Sequence, residues 1–152
     1  MYDTILVPVD GSEQSERAVD HAIAIAEQFE STVHALYVID DRYAGRASEA
    51  VSELSRNSPE RNELEQQRKQ AGNELTESVL ERARERGVDT ENAVMSGDPA
   101  EIITDYAKAE AIDVIVLGAR GRSAVGKFLL GDVAGKVARH ATTPVLLVRA
   151  DE

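Results

Sequence analysis

The chain switches repeatedly between two hydrophobic periods, and that alternation restricts its fold more than any other feature. Thr4 to Val9 (TILVPV), Thr32 to Ile39 (TVHALYVI), Val114 to Leu117 and Val145 to Val148 are short apolar, β-branched runs. Asn92 to Met95 is a fainter one. Between them lie segments with helical spacing, such as Ala18, Ala22, Ile25 and Phe29. An apolar run without polar alternation suits a strand buried on both faces. A helix between successive strands returns the chain for parallel pairing. Five such runs and four intervening helices therefore predict an α/β fold: one open, five-stranded parallel sheet with helices on both faces.

Turn and cap residues punctuate the pattern. Asp10-Gly11-Ser12 closes the first strand and offers Ser12 as the cap of a helix over Ser15 to Phe29. Residues 40 to 58 are polar and weakly patterned, a loop or a short extra helix. Ser58-Pro59 reads as a cap with proline at the first helical position. That helix runs to Arg86, with Leu64, Ala71, Leu75, Val79 and Ala83 on one face, and Gly87 stops it. Gly72 in its middle argues against a single unbroken helix. Asp98-Pro99-Ala100-Glu101 resembles a capping box, opening a helix that buries Ile102, Ile103, Tyr106 and Ala107. A last helix spans about Val133 to His140, and Pro144 opens the final strand. There is no internal repeat, and the 152 residues fit one domain.

Charge and composition narrow the function. With 28 acids against 17 bases the net charge is −11, which opposes nucleic acid and anionic membranes. The bases are 13 Arg and only 4 Lys, and an acidic, lysine-poor surface suits a high-salt, halophilic cytosol. There is no cysteine, no apolar stretch of transmembrane length and no leader pattern at the start, so the expected location is cytoplasmic.

Open α/β sheets bind ligands beyond the carboxyl ends of their strands, where strand order reverses. Two places qualify: Pro8-Val9-Asp10-Gly11-Ser12 after the first strand and Gly118-Ala119-Arg120-Gly121-Arg122 after the fourth. Gly118 and Gly121 are followed by Gly131 at a helix start, with Arg120, Arg122 and Lys127 supplying positive charge. Glycines permit close backbone approach, and helix N-terminal N–H groups favour an anion. Together they suggest a phosphate cradle; a long loop with exposed cations accounts for the same residues. Gly121 to Lys127 matches the first seven positions of a P-loop, but Phe128 stands where a magnesium-binding hydroxyl belongs. Asp10 is suited to holding a ribose or a metal, or to capping the first turn. Pro8, lacking a backbone donor, hints that the strand already leaves the ladder at the pocket edge. His21, His34 and His140 share no ligand spacing and suit structural roles. No catalytic residue stands out: there is no convincing general base or water-positioning group. A dinucleotide fold would need its glycine fingerprint after strand one, and a receiver domain would need an acid cluster around Asp10.

These segments match a known pattern. The opening YDTILVPVDGSEQSERAVDHAIAIA and the stretch GARGRSAVGKFLLGDVAGKVARHATTPVLLV resemble the universal stress protein family, and the resemblance covers nearly the whole chain. It implies an adenine nucleotide alpha hydrolase-like sheet of order 3-2-1-4-5, with a variable polar segment at about 40 to 70. It implies ATP, AMP or another adenine nucleotide as ligand, in stress response or signalling, and homodimers paired through Val145 to Val148. By analogy Asp10 stands at the ribose, Val9 and Val38 line the adenine site, and Pro8 belongs to the edge of the same nucleotide pocket. Gly118, Arg120, Gly121, Gly131, Asp132 and Val133 surround the phosphates. The family motif G-x2-G-x9-G ends in Ser or Thr; here that position is Asp132. A carboxylate repels phosphate where a hydroxyl donates to it. Three outcomes stay open: Mg or Mn bridging through Asp10 or Asp132, an Asp132 side chain turned away while its N–H still binds, or lost triphosphate binding. A dimeric interaction module without nucleotide and a slow ATPase are the alternative functions.

Overall fold

The computed structural model describes residues 1–41, 59–120 and 131–149. Among them run β1 (Thr4–Pro8), α1 (Glu13–Phe29), β2 (Thr32–Asp40), α2 (Pro59–Glu85), β3 (Asp89–Gly97), α3 (Pro99–Ala109), β4 (Val114–Gly118), α4 (Asp132–His140) and β5 (Val145–Val148). The strands form one all-parallel sheet in the order β3-β2-β1-β4-β5. The fold read from the sequence and the strand order implied by the family resemblance are those observed.

Side chains of β1 alternate between two apolar layers, which is why its sequence shows no polar alternation. Ile5 and Val7 join Val33, Ala35 and Val116 under α1 and α2. Leu6 joins Leu36, Ile115 and Leu117 under α3 and α4. Each such fully buried side chain stabilises the fold by roughly 1.5–3 kcal/mol. The α1 stripe is rotated from the sequence reading. Ala18, Val19, Ala22, Ile23 and Ala26 are buried, while Phe29 is 51% exposed and packs edge-on against Tyr2 at 5.2 Å.

Three other elements differ from expectation. β3 spans nine residues because it lies at the sheet edge, where Asp89, Thr90 and Glu91 can face solvent without an apolar signature. α2 is continuous through Gly72: a Cβ there would lie 2.5 Å from Tyr37 Cδ1, so the glycine lets the helix approach β2. Leu64, placed on the core face by its spacing, is 47% exposed, and the core side of α2 begins at Gly72.

Polar contacts fix the helices on the sheet. Arg82 of α2 reaches Glu16 of α1 at 2.5 Å and also pairs with Asp20, and Arg86 reaches Glu27 at 2.6 Å. His34, 5% exposed, ties β2 to β3 and α3: its Nε2 lies 3.1 Å from Glu91, its Nδ1 2.8 Å from the Tyr106 hydroxyl. Since a carboxylate only accepts, Nε2–H donates to Glu91, and in the neutral ring Nδ1 then accepts from the Tyr106 hydroxyl. Burial, aided by the charges of Glu110 and Glu91, pushes the Tyr106 hydroxyl up to about 12.

Candidate functional site

The crevice begins where β1 and β4 stop pairing. Their register holds at Ile5↔Val114 and Leu6↔Ile115 and goes no further. Asp113 N–H donates to Thr4 O at 3.0 Å, so the even-numbered residues of β1 turn their backbone groups toward β4. Pro8 is the next even position after Leu6, and it has no N–H to give. Toward β2 the ladder continues past Pro8, with Val9 N–H donating to Leu36 O at 2.8 Å. The strand therefore leaves the ladder on one side only, the side that faces β4.

The turn after β1 is closed by its own side chains. Gly11 takes a left-handed φ of 82°, which a side chain would resist. Asp10 Oδ1 accepts from Ser12 N–H at 2.9 Å, and Ser12 Oγ caps α1 by accepting from Ser15 N–H at 3.2 Å. Ser15 Oγ in turn accepts from Asp10 N–H at 3.1 Å. Asp10 thus performs the turn-capping role open to it in the sequence, with its second carboxylate oxygen outside that bond.

On the far side, Gly118 ends β4 directly beneath the first turn of α1. A Cβ on Gly118 would lie 3.0 Å from the Gln14 carbonyl carbon and Cβ, and 3.1 Å from Ser15 N. Gln14, 7% exposed, accepts from Arg120 N–H through Oε1 at 2.6 Å. Ser15 and Gln14 thereby join the turn at Asp10 to the end of β4. Sequence reasoning missed both: glutamine in a first helical turn carries no burial signal, since most are exposed.

The chain returns to the same place at Gly131, whose N–H donates to Ala119 O at 2.7 Å. Gly131 caps α4 without a side-chain bond. The first helical bond is Gly135 N–H to Gly131 O at 2.8 Å, so the positive end of the α4 dipole lies at its first turn, Asp132 to Ala134. The Asp132 carboxylate lies 3.6 Å from Lys136 Nζ, one turn along α4. Gly121, Arg122 and Lys127 lie outside the described residues. The described part brings together Pro8, Val9, Asp10, Gly118, Arg120, Gly131, Asp132 and Val133 around the β1–β4 divergence. A separate open groove of about 300 Å³ between α3 and α4, lined by Asp98, Glu101, Thr104, Lys136 and His140, contains none of them.

Val38 stands on the remaining side. Thr32 N–H donates to Asp3 O at 2.9 Å, and Leu36 O accepts from Val9, so even-numbered residues of β2 face β1. The β1–β2 register ends at Pro8↔Leu36. Two residues on, the N–H and C=O of Val38 are directed past the end of β1.

An open parallel sheet whose order reverses at diverging central strands, with a helix N-terminus at the mouth, places the chain in the doubly wound α/β class, whose ligand sites lie at such switch points. The universal stress protein family model matches residues 1–149, and the chain belongs to that family. A relative in Methanocaldococcus jannaschii, universal stress protein MJ0531, is 35% identical over 98% of this chain and 83% of its own length. The solved structure of MJ0577 from the same organism is 29% identical, covers 100% of this chain and 99% of its own, and superposes with a TM-score of 0.84. A universal stress protein solved in complex with cAMP is 26% identical, with a TM-score of 0.68 over 99% of this chain and 98% of its own.

Proposed function

We propose that this chain binds an adenine nucleotide at the β1–β4 crevice and acts in stress response or signalling through the bound state. The observation that carries this reading is the edge of β2 at Val38, with whose β1-facing groups no backbone group pairs among the described residues. One N–H and one C=O, side by side on a strand edge, match the acceptor and donor on the edge of adenine. The base lies against Val38, Val9 and Pro8, and the ribose stands over Asp10, whose second carboxylate oxygen accepts from a hydroxyl. The phosphates reach the start of α4 at Asp132 and Val133, with Gly118, Arg120 and Gly131 around them. The cAMP complex of a 26% identical relative supports the ligand class.

The Asp132–Lys136 pair bears on the departure from the family motif. Lys136 draws the carboxylate along the helix and offsets its charge, which favours the arrangement in which only the Asp132 N–H meets phosphate. Among the described residues no three His, Asp or Glu side chains converge to hold a metal, so a Mg or Mn ion would be held jointly with the phosphates. In the same reading two copies pair through β5, the short outer strand on which Leu146 is 38% exposed.

Calorimetric titration with ATP, AMP and cAMP, each with and without Mg, tests the reading. Saturable heat with at least one of them is expected. No heat and no thermal shift with any would overturn it. An Asp132→Ser variant that gains ATP affinity severalfold would locate the triphosphate at α4.

A further inference from the structure

We infer that the outer edge of β3 is a docking site for an extended, basic segment of another protein. Among the described residues β3 ends the sheet and pairs with β2 alone, from Thr32↔Asp89 to Asp40↔Gly97. Asp41 N–H donates to Gly97 O at 3.4 Å, so the odd-numbered residues of β3 turn their backbone groups toward β2. Thr90, Asn92, Val94 and Ser96 therefore turn theirs outward, and among the described residues no strand pairs with them. Four donors and four acceptors stand along roughly 20 Å of strand edge, at about 3.3 Å per residue.

Such an edge is a template for pairing, and proteins usually blunt it with short length, proline, lysine or a bulge. β3 has nine residues, no proline and no lysine, and Asn92 to Ser96 carry no charge. Met95 in that stretch is 41% exposed.

The flanking charge selects the occupant. Asp89 and Glu91 lie at one end of the uncharged stretch, Asp98 and Glu101 just past the other, and no base lies between them. A second copy would bring the same acids and a net charge of −11 to the edge. An extended segment with an uncharged centre and lysine or arginine at its ends complements both the backbone pattern and the charge.

The test uses the full chain and a labelled nine-residue peptide of alternating valine and threonine with lysine at both ends. Saturable binding by fluorescence anisotropy is expected, with slowed amide hydrogen exchange at Thr90, Asn92, Val94 and Ser96. Ser96→Pro removes one outward N–H without breaking a bond to β2 and should weaken binding at least tenfold. Asp89→Lys, at an exposed position, should weaken it severalfold even if the proline variant folds poorly. Absence of saturable binding, or equal binding of a peptide N-methylated on alternate residues, would overturn the inference. So would slow exchange at those four amides in the peptide-free protein, whether constant, as when the chain covers its own edge, or rising with protein concentration, as when copies pair there.

Discussion

Replacing Gly72 with alanine sets two well-scaled effects against each other. In an exposed helix interior the change stabilises by about 1 kcal/mol, because glycine has more backbone freedom to lose. Here the new Cβ would lie 2.5 Å from Tyr37 Cδ1, 3.0 Å from Tyr37 Cγ and 3.1 Å from Val94 Cγ1. No relaxed carbon contact is that short, so the ring or the helix must move. Overpacking of this kind costs typically about 1–3 kcal/mol. The net expectation is destabilisation by up to roughly 2 kcal/mol. Urea unfolding followed by circular dichroism measures it. In a Tyr37→Ala background most of the overlap is gone, and Gly72→Ala should there recover much of the helix gain. The difference between the two backgrounds is the coupling, expected at about 1–3 kcal/mol. Stabilisation of the otherwise unaltered chain by Gly72→Ala, or equal effects in both backgrounds, would refute the role given to this glycine.

Tyr106→Phe leaves His34 Nδ1 buried without its donor and should cost about 1–3 kcal/mol in the same assay; an unchanged midpoint would mean water replaces the hydroxyl. Tyr106 also sets a pH limit. Its hydroxyl titrates near 10 in the unfolded chain and about 12 in the folded one. Above pH 10 the unfolded state loses the proton first, so stability falls as pH rises from 10 toward 12. Tyr106→Phe should flatten that decline, and an identical slope in the variant would remove Tyr106 as its source. Gly118→Ala places a methyl against Gln14 and Ser15 backbone and should destabilise by about 1–3 kcal/mol while weakening nucleotide binding. Normal calorimetric affinity in a folded Gly118→Ala protein would separate this glycine from the site.

The parts legible in the sequence are those where one physical demand dominates. β1 and β4 read as strands because burial on both faces leaves little room for polar residues. Ser12 and Asp98 read as caps because a side-chain oxygen there meets an orphan N–H, as both do. β3 was underestimated in length because an edge strand needs no continuous apolar run. The core face of α2 was misplaced because Leu64 keeps the spacing of the stripe after the helix has left the sheet. Of the site, Asp10 and the glycines carried a signal in turn chemistry and spacing. Gln14 carried none: its importance comes from Arg120, which is 106 positions away in the chain and adjacent only once the sheet is formed.

Pro8 has a thermodynamic consequence for an empty crevice. With no proton on its nitrogen, the central strand cannot zip further onto its neighbour when nothing is bound. In the proposed reading a nucleotide entering there would meet no main-chain bond at that nitrogen, so none of its affinity would go into reopening the sheet at Pro8. The missing donor therefore holds the entrance ajar in advance.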